Sequence, residues 1–261
     1  MGKMRICQAL GFTGLSLATL LAGCGGEGDE VSASSSALEA TNALSANALS
    51  ANALSANALS ANALSANALS ANGLRDPLAR QFLKYVVSCA LPASSTITMS
   101  IDGASYSFVG QLGLAPQWGA PNGSCDRSCQ RWVSACVLAR VDYAGVERLI
   151  SLRGEHPALR TAPHEVSDYP VREATYYGNL FGEGQKRYLC LSPGLHSDER
   201  VCGPSLANCP MTVMGSCATV CEDTGRQGSF VDCATDATFA KDGGRQKSRD
   251  IAETVTVFLP R

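Results

Sequence analysis

Apolar and polar residues change period several times along this chain, and the clearest patterns lie between residues 74 and 152. Leu78, Phe82, Val86 and Cys89 recur at three- and four-residue steps, which places them on one face of a helix. Asp76 and Pro77 start it as N-cap acceptor and first-turn proline, and Leu91-Pro92 ends it. From Ile97 to Phe108 the period is two. Alternation about Asp102-Gly103 predicts a hairpin in which Ile101 pairs with Ala104, Met99 with Tyr106 and Ile97 with Phe108, all six facing the core. A helical period returns from Ser124 to Arg140, where Cys129, Trp132, Val133, Cys136 and Val137 share a face. Val146 to Leu152 reads as a strand, and Thr254 to Leu259 alternates as another. Between Gly154 and Phe181 the periodicity is weak and Pro, His and Tyr are frequent, so loops are expected there. Two helices among short strands, without a strand-helix-strand rhythm, point to an α+β fold.

The first 24 residues carry a different pattern: Lys3 and Arg5, an apolar run from Ala9 to Ala22, then small residues. These are the parts of a secretory signal. The run is interrupted by Gly11, Thr13, Gly14, Ser16 and Thr19, and falls short of the roughly 20 apolar residues of a membrane-spanning helix. Leu21-Ala22-Gly23-Cys24 resembles the lipobox of bacterial lipoproteins. The resemblance implies cleavage after Gly23 and lipidation of Cys24. Because one acyl chain holds only weakly and two or three hold stably, it also implies membrane anchorage. Gly25, where inner-membrane retention usually depends on Asp, implies an outer-membrane destination.

From Ala43 to Asn72 the unit Ala-Leu-Ser-Ala-Asn repeats six times. It is similar to pentapeptide-repeat sequences, but Asn stands two places before each Leu instead of one, and six copies are too few for a stacked core. On a helix, five-residue steps place successive leucines about 140° apart, so no apolar stripe forms. Ala and Leu favour helix while Asn and Ser oppose it, and the span from Gly25 to Gly73 contains four acids and no base. Residues 24–73 are therefore expected to form a fluctuating tether on the order of 40 Å long.

Residues 74–261 are long enough for one core of ordinary size. They carry 19 bases and 19 acids, so no electrostatic case for nucleic acid arises. Beyond Cys7 and Cys24 there are ten cysteines, Cys89, Cys125, Cys129, Cys136, Cys190, Cys202, Cys209, Cys217, Cys221 and Cys233. An even number in an exported domain predicts a disulfide framework. There is no Cys-x-x-Cys and only three histidines, so neither a metal nor a haem is expected. The twin motifs Cys125-x-x-x-Cys129 and Cys217-x-x-x-Cys221 have helical spacing, and antiparallel packing of two such helices would join Cys125 to Cys221 and Cys129 to Cys217.

Catalytic signatures are scarce. No nucleophile elbow, zinc-protease helix, phosphate-binding loop or dinucleotide fingerprint occurs. The richest chemistry lies in residues 155–177, where Glu155, His156, His164, Glu165, Asp168, Tyr169, Glu173, Tyr176 and Tyr177 gather; His156, His164 and Glu165 are its candidate acid-base groups. The expected organisation is a signal peptide at 1–23, a lipidated tether at 24–73 and a disulfide-rich α+β domain at 74–261. The expected function is a membrane-anchored cell-envelope lipoprotein displaying a binding or structural domain toward an envelope protein or glycan, without a cofactor. A hydrolase using residues 155–177 and an accessory subunit of an envelope complex are the alternatives.

Overall fold

The computed structural model describes residues 44–47, 73–182, 184–196, 198–235 and 251–261, all within one compact unit, Leu38–Arg261. The signal segment, Cys24 and most of the repeat lie outside the described residues. Among the described residues no helix is long and apolar enough to cross a membrane.

The fold is α+β. In chain order its elements are β1 (Leu44–Asn47), α1 (Pro77–Ala90), β2 (Thr96–Ile101), β3 (Ala104–Val109), α2 (Arg127–Ala139), β4 (Arg148–Arg153), α3 (Glu165–Asp168), β5 (Val171–Asn179), β6 (Lys186–Leu191), α4 (Glu199–Cys202), β7 (Thr212–Ser216), α5 (Cys217–Val220) and β8 (Thr254–Leu259). The main sheet runs β1-β4-β8-β5-β6-β7, and β2-β3 stands apart as a hairpin. All pairings are antiparallel except β6 with β7, whose crossover contains α4.

Side chains alternate across the sheet and divide the core between its faces. One face carries Ile150, Leu152, Ala174, Tyr176, Leu189, Val255 and Val257 in one cluster with α2, which packs on β5 and β8, and α1 then packs against α2 and the hairpin. The opposite face presents Tyr177 and Cys190 to Met214, Cys217, Val220, Phe230 and Ile251. Thr175 and Thr256 share a 2.8 Å hydroxyl contact there, while Thr256 accepts from the Phe230 amide and Thr254 donates to its carbonyl. Two threonine hydroxyls thus satisfy the backbone of a residue that belongs to no strand.

Local sequence explains the first helix and the hairpin. The Asp76 carboxylate accepts from the Leu78 amide at 2.9 Å above Pro77, and α1 begins where expected. Its buried arc is centred on Leu83, Val86, Val87 and Ala90, whereas Leu78 is exposed. The hairpin has the expected register, because Asp102 and Gly103 both take positive φ (51° and 83°) as a tight primed turn requires. Ile97, Met99, Ile101 and Phe108 are buried, but Ala104 beside the turn is exposed.

Two expectations are corrected. Residues 154–181 are not mainly loop: β5 occupies nine of them and lies between β8 and β6. Its residues are buried on both faces, which removes the alternation that would have marked it. The twin-motif pairing does not occur. Cys125 joins Cys129, Cys190 joins Cys217 and Cys221 joins Cys233, alongside Cys89–Cys136 and Cys202–Cys209. Cys125 precedes the N-cap Asp126 and Cys221 follows the single turn of α5, so neither pair shares a helical face. Four residues of the first repeat, Leu44–Asn47, lie antiparallel to Arg148–Ser151 at the sheet edge; the rest of the expected tether lies outside the described residues. An edge strand offers unpaired backbone groups to any extended segment, whatever its side chains.

Candidate binding groove and the buried charge clusters

The acid-base candidates of residues 155–177 are distributed over several separate sites. His156 precedes a 3-10 turn at Pro157–Leu159, and its Nδ1 accepts from the Ala158 amide at 3.1 Å. Its ring meets Trp132 edge-on at 5.3 Å, and burial lowers its pKa. His164 caps α3 through its carbonyl, which accepts from the Ser167 hydroxyl and the Asp168 amide. Glu165 is fully buried: one oxygen accepts from the Ser151 hydroxyl at 2.6 Å, the other from the Ala162 amide at 3.0 Å. Ser151 accepts in turn from Arg153, whose guanidinium donates to the Tyr169 and Gln227 carbonyls and lies 3.6 Å from the centre of the Phe258 ring. Glu155 pairs with Arg226. Among the described residues neither histidine hydrogen-bonds a carboxylate.

Glu173 and Tyr176 belong to a second cluster. A register shift between Arg172 and Ala174 makes Glu173 the extra residue of a bulge, which turns its carboxylate toward the side that carries Tyr176. Arg200 clasps it with three contacts of 2.6–3.0 Å and donates to the Tyr176 hydroxyl. Tyr176 donates to Asp198, the residue that caps α4. The remaining Arg200 nitrogen donates to the Ala139 and Val141 carbonyls, so this guanidinium also satisfies the C-terminus of α2. Burial pushes the Tyr176 pKa well up, and it also raises Glu173 against the pull of Arg200. Every charge here has a partner, which is the condition for keeping such groups in a core.

A third buried arginine lacks such a partner. Arg140, at the C-cap of α2, is 2% exposed. Its two terminal nitrogens donate to neutral oxygens, those of the Ser88 hydroxyl and the Gln111 side chain (3.1 Å), and its Nε has no partner. Burial lowers its pKa to about 10. The α2 carbonyls supply a partial negative end, but no carboxylate pairs with it among the described residues.

Ser88 and Gln111 belong also to the wall of a groove of about 600 Å³ between α1 and β3. Arg80, Lys84 and Ser88 follow one another at four-residue steps along α1, and Phe108 and Val109 form the facing apolar side. Arg80 is held over the Tyr106 ring at 4.8 Å and donates to the Leu74 and Arg75 carbonyls. Lys84 is exposed, 5.8 Å from the Tyr85 ring. The α1 sequence contains no Asp or Glu, and the like charges of Arg80, in its first half, and Lys84, at its middle, stand one turn apart without an ion pair among the described residues. Each such arrangement costs a few tenths of a kcal/mol. Gly110 is required at the groove floor, because a Cβ there would lie 2.3 Å from the Pro92 carbonyl oxygen.

Sequence reasoning missed this site. Its legible trace is Arg80 and Lys84 at helical spacing on a helix without acids. Arg140 was invisible as a site residue, since nothing local announces that an arginine will be buried without a counter-ion. No family profile, no curated protein and no solved structure matches the chain.

Proposed function

We propose that this chain is an exported, lipid-anchored cell-envelope protein whose disulfide-stapled domain binds a ligand in the groove between α1 and β3. The observation that carries this reading is the pairing of all ten cysteines of residues 74–261. Five bridges persist only where the surroundings are oxidising, which favours an exported domain over a cytosolic one. The Leu21-Ala22-Gly23-Cys24 motif supplies the anchor in this reading, with the outer membrane as its destination. Binding is favoured over hydrolysis because Glu165, Glu173 and Asp198 are engaged in buried structural bonds, whereas Lys84 faces solvent.

Fractionation tests the location. The wild-type chain is expected in the membrane fraction with a mass increase at Cys24, and Cys24→Ala in the soluble envelope fraction. Unchanged partitioning of Cys24→Ala would overturn the anchor. Recovery of the native protein with ten free thiols would overturn export.

A further inference from the structure

Among the described residues three arginines are buried, and their charges are met differently. Arg153 faces Glu165 through Ser151, and Arg200 faces Glu173 and Asp198 through direct bonds and Tyr176. Among the described residues only Arg140 is given neutral partners and an unbonded Nε, and it stands behind the wall of an open groove. Two further cations, Arg80 and Lys84, line that groove, and no acid lines it. Positive charge therefore gathers at one place from two helices without a counter-ion among the described residues. A bound anion would supply it, and the low dielectric around Arg140 would strengthen the attraction. Opposite the cations, Phe108 and the half-exposed Val109 offer apolar surface, together with the methylene stems of Arg80 and Lys84.

We propose that this groove binds an oxyanion, carboxylate or phosphate, carried on an apolar body. Lys84 and Arg80 meet the anion directly, Arg140 adds its charge from behind Gln111 and Ser88, whose hydroxyl donates to the Tyr85 carbonyl, and Phe108 and Val109 cover the apolar part. The inference rests on reading this domain as a binding domain, but it does not depend on where the domain is anchored.

Octanoate, octyl phosphate and octanol are titrated calorimetrically into the oxidised full-length chain. Both anions are expected to bind saturably, with octanol about tenfold weaker or worse; the tighter anion identifies the source of the charge. Lys84→Glu is expected to weaken the anions about tenfold while leaving octanol unchanged, and Lys186→Glu, in a different cavity, to alter neither. Arg140→Met is expected to weaken the anions too; its melting temperature separates loss of charge from loss of fold. Octanol binding as tightly as octanoate, no saturable anion binding, or full affinity in Lys84→Glu would each overturn the proposal. A chain that binds octanoate yet fractionates as soluble keeps the groove and loses the anchor, so the two readings fail separately.

Discussion

Cys190 and Cys221 belong to different disulfides, yet their sulfurs lie 3.5 Å apart across the second core cluster. With Cys217, they place three sulfurs within 4.8 Å of one another. If local opening lets an external thiol attack Cys233, which is buried in the closed fold, the Cys221 thiolate it releases is in reach of Cys190. Attack there forms Cys190–Cys221 and expels the Cys217 thiolate, so one bridge breaks as another forms. Peptide mapping after limited reduction and acid quench is expected to recover Cys190–Cys221 as the first non-native pair. Random scrambling, or Cys125–Cys129 exchanging first, would sink this expectation.

The disulfides differ in the loops they close. Cys89–Cys136 spans 47 positions and ties α1 to α2, whereas Cys125–Cys129 spans four. In the chain-entropy account the first stabilises by about 4 kcal/mol and the second by about 2. Double alanine variants of each pair, compared by urea unfolding, are expected to show that order; equal losses would count against it.

Arg200 is the central group of the second charge cluster, with 3% of its side chain exposed and Glu173 at 7%. Arg200→Met leaves a buried carboxylate unpaired and two carbonyls at the α2 terminus unsatisfied. A loss of about 3–5 kcal/mol in chemical unfolding is expected. A loss below 1 kcal/mol would mean that water reaches the cluster.

His156 makes the domain sensitive to mild acid. Burial lowers its folded-state pKa below the unfolded value of about 6.5, and its Nδ1 must remain unprotonated to accept from Ala158. The unfolded state therefore binds more protons in this window. The stability is fully present above about pH 6.5 and is lost as pH falls through the lower folded value. His156→Asn keeps a capping acceptor without the titration, so its stability is expected to vary less with pH between about 6.5 and 5. An unaltered slope would assign the effect to another group.

How far local pattern reaches can be judged element by element. The start of α1, the hairpin register and strand β8 were legible because each depends on near neighbours: a cap, a turn dipeptide, an alternation. Strand β5 was not: like β8 it is buried on both faces, but it lacks the Thr-Val alternation of β8 and is interrupted by the Glu173 bulge. The disulfide partners were equally hidden. Their count follows from composition, but their pairing follows from which segments the sheet brings together.

By itself the sequence determined the α+β class, the two long helices, the need for oxidised cysteines and the balance of charge in residues 74–261. These follow from spacing and composition, which a linear chain carries directly. Only the tertiary structure decided that Glu165, Glu173 and Asp198 are engaged in buried bonds, and that Arg140 is buried against neutral partners behind a groove. The reason is that burial and counter-ion distance are properties of packing between distant segments. A residue's local sequence does not reveal whether its charge will be neutralised.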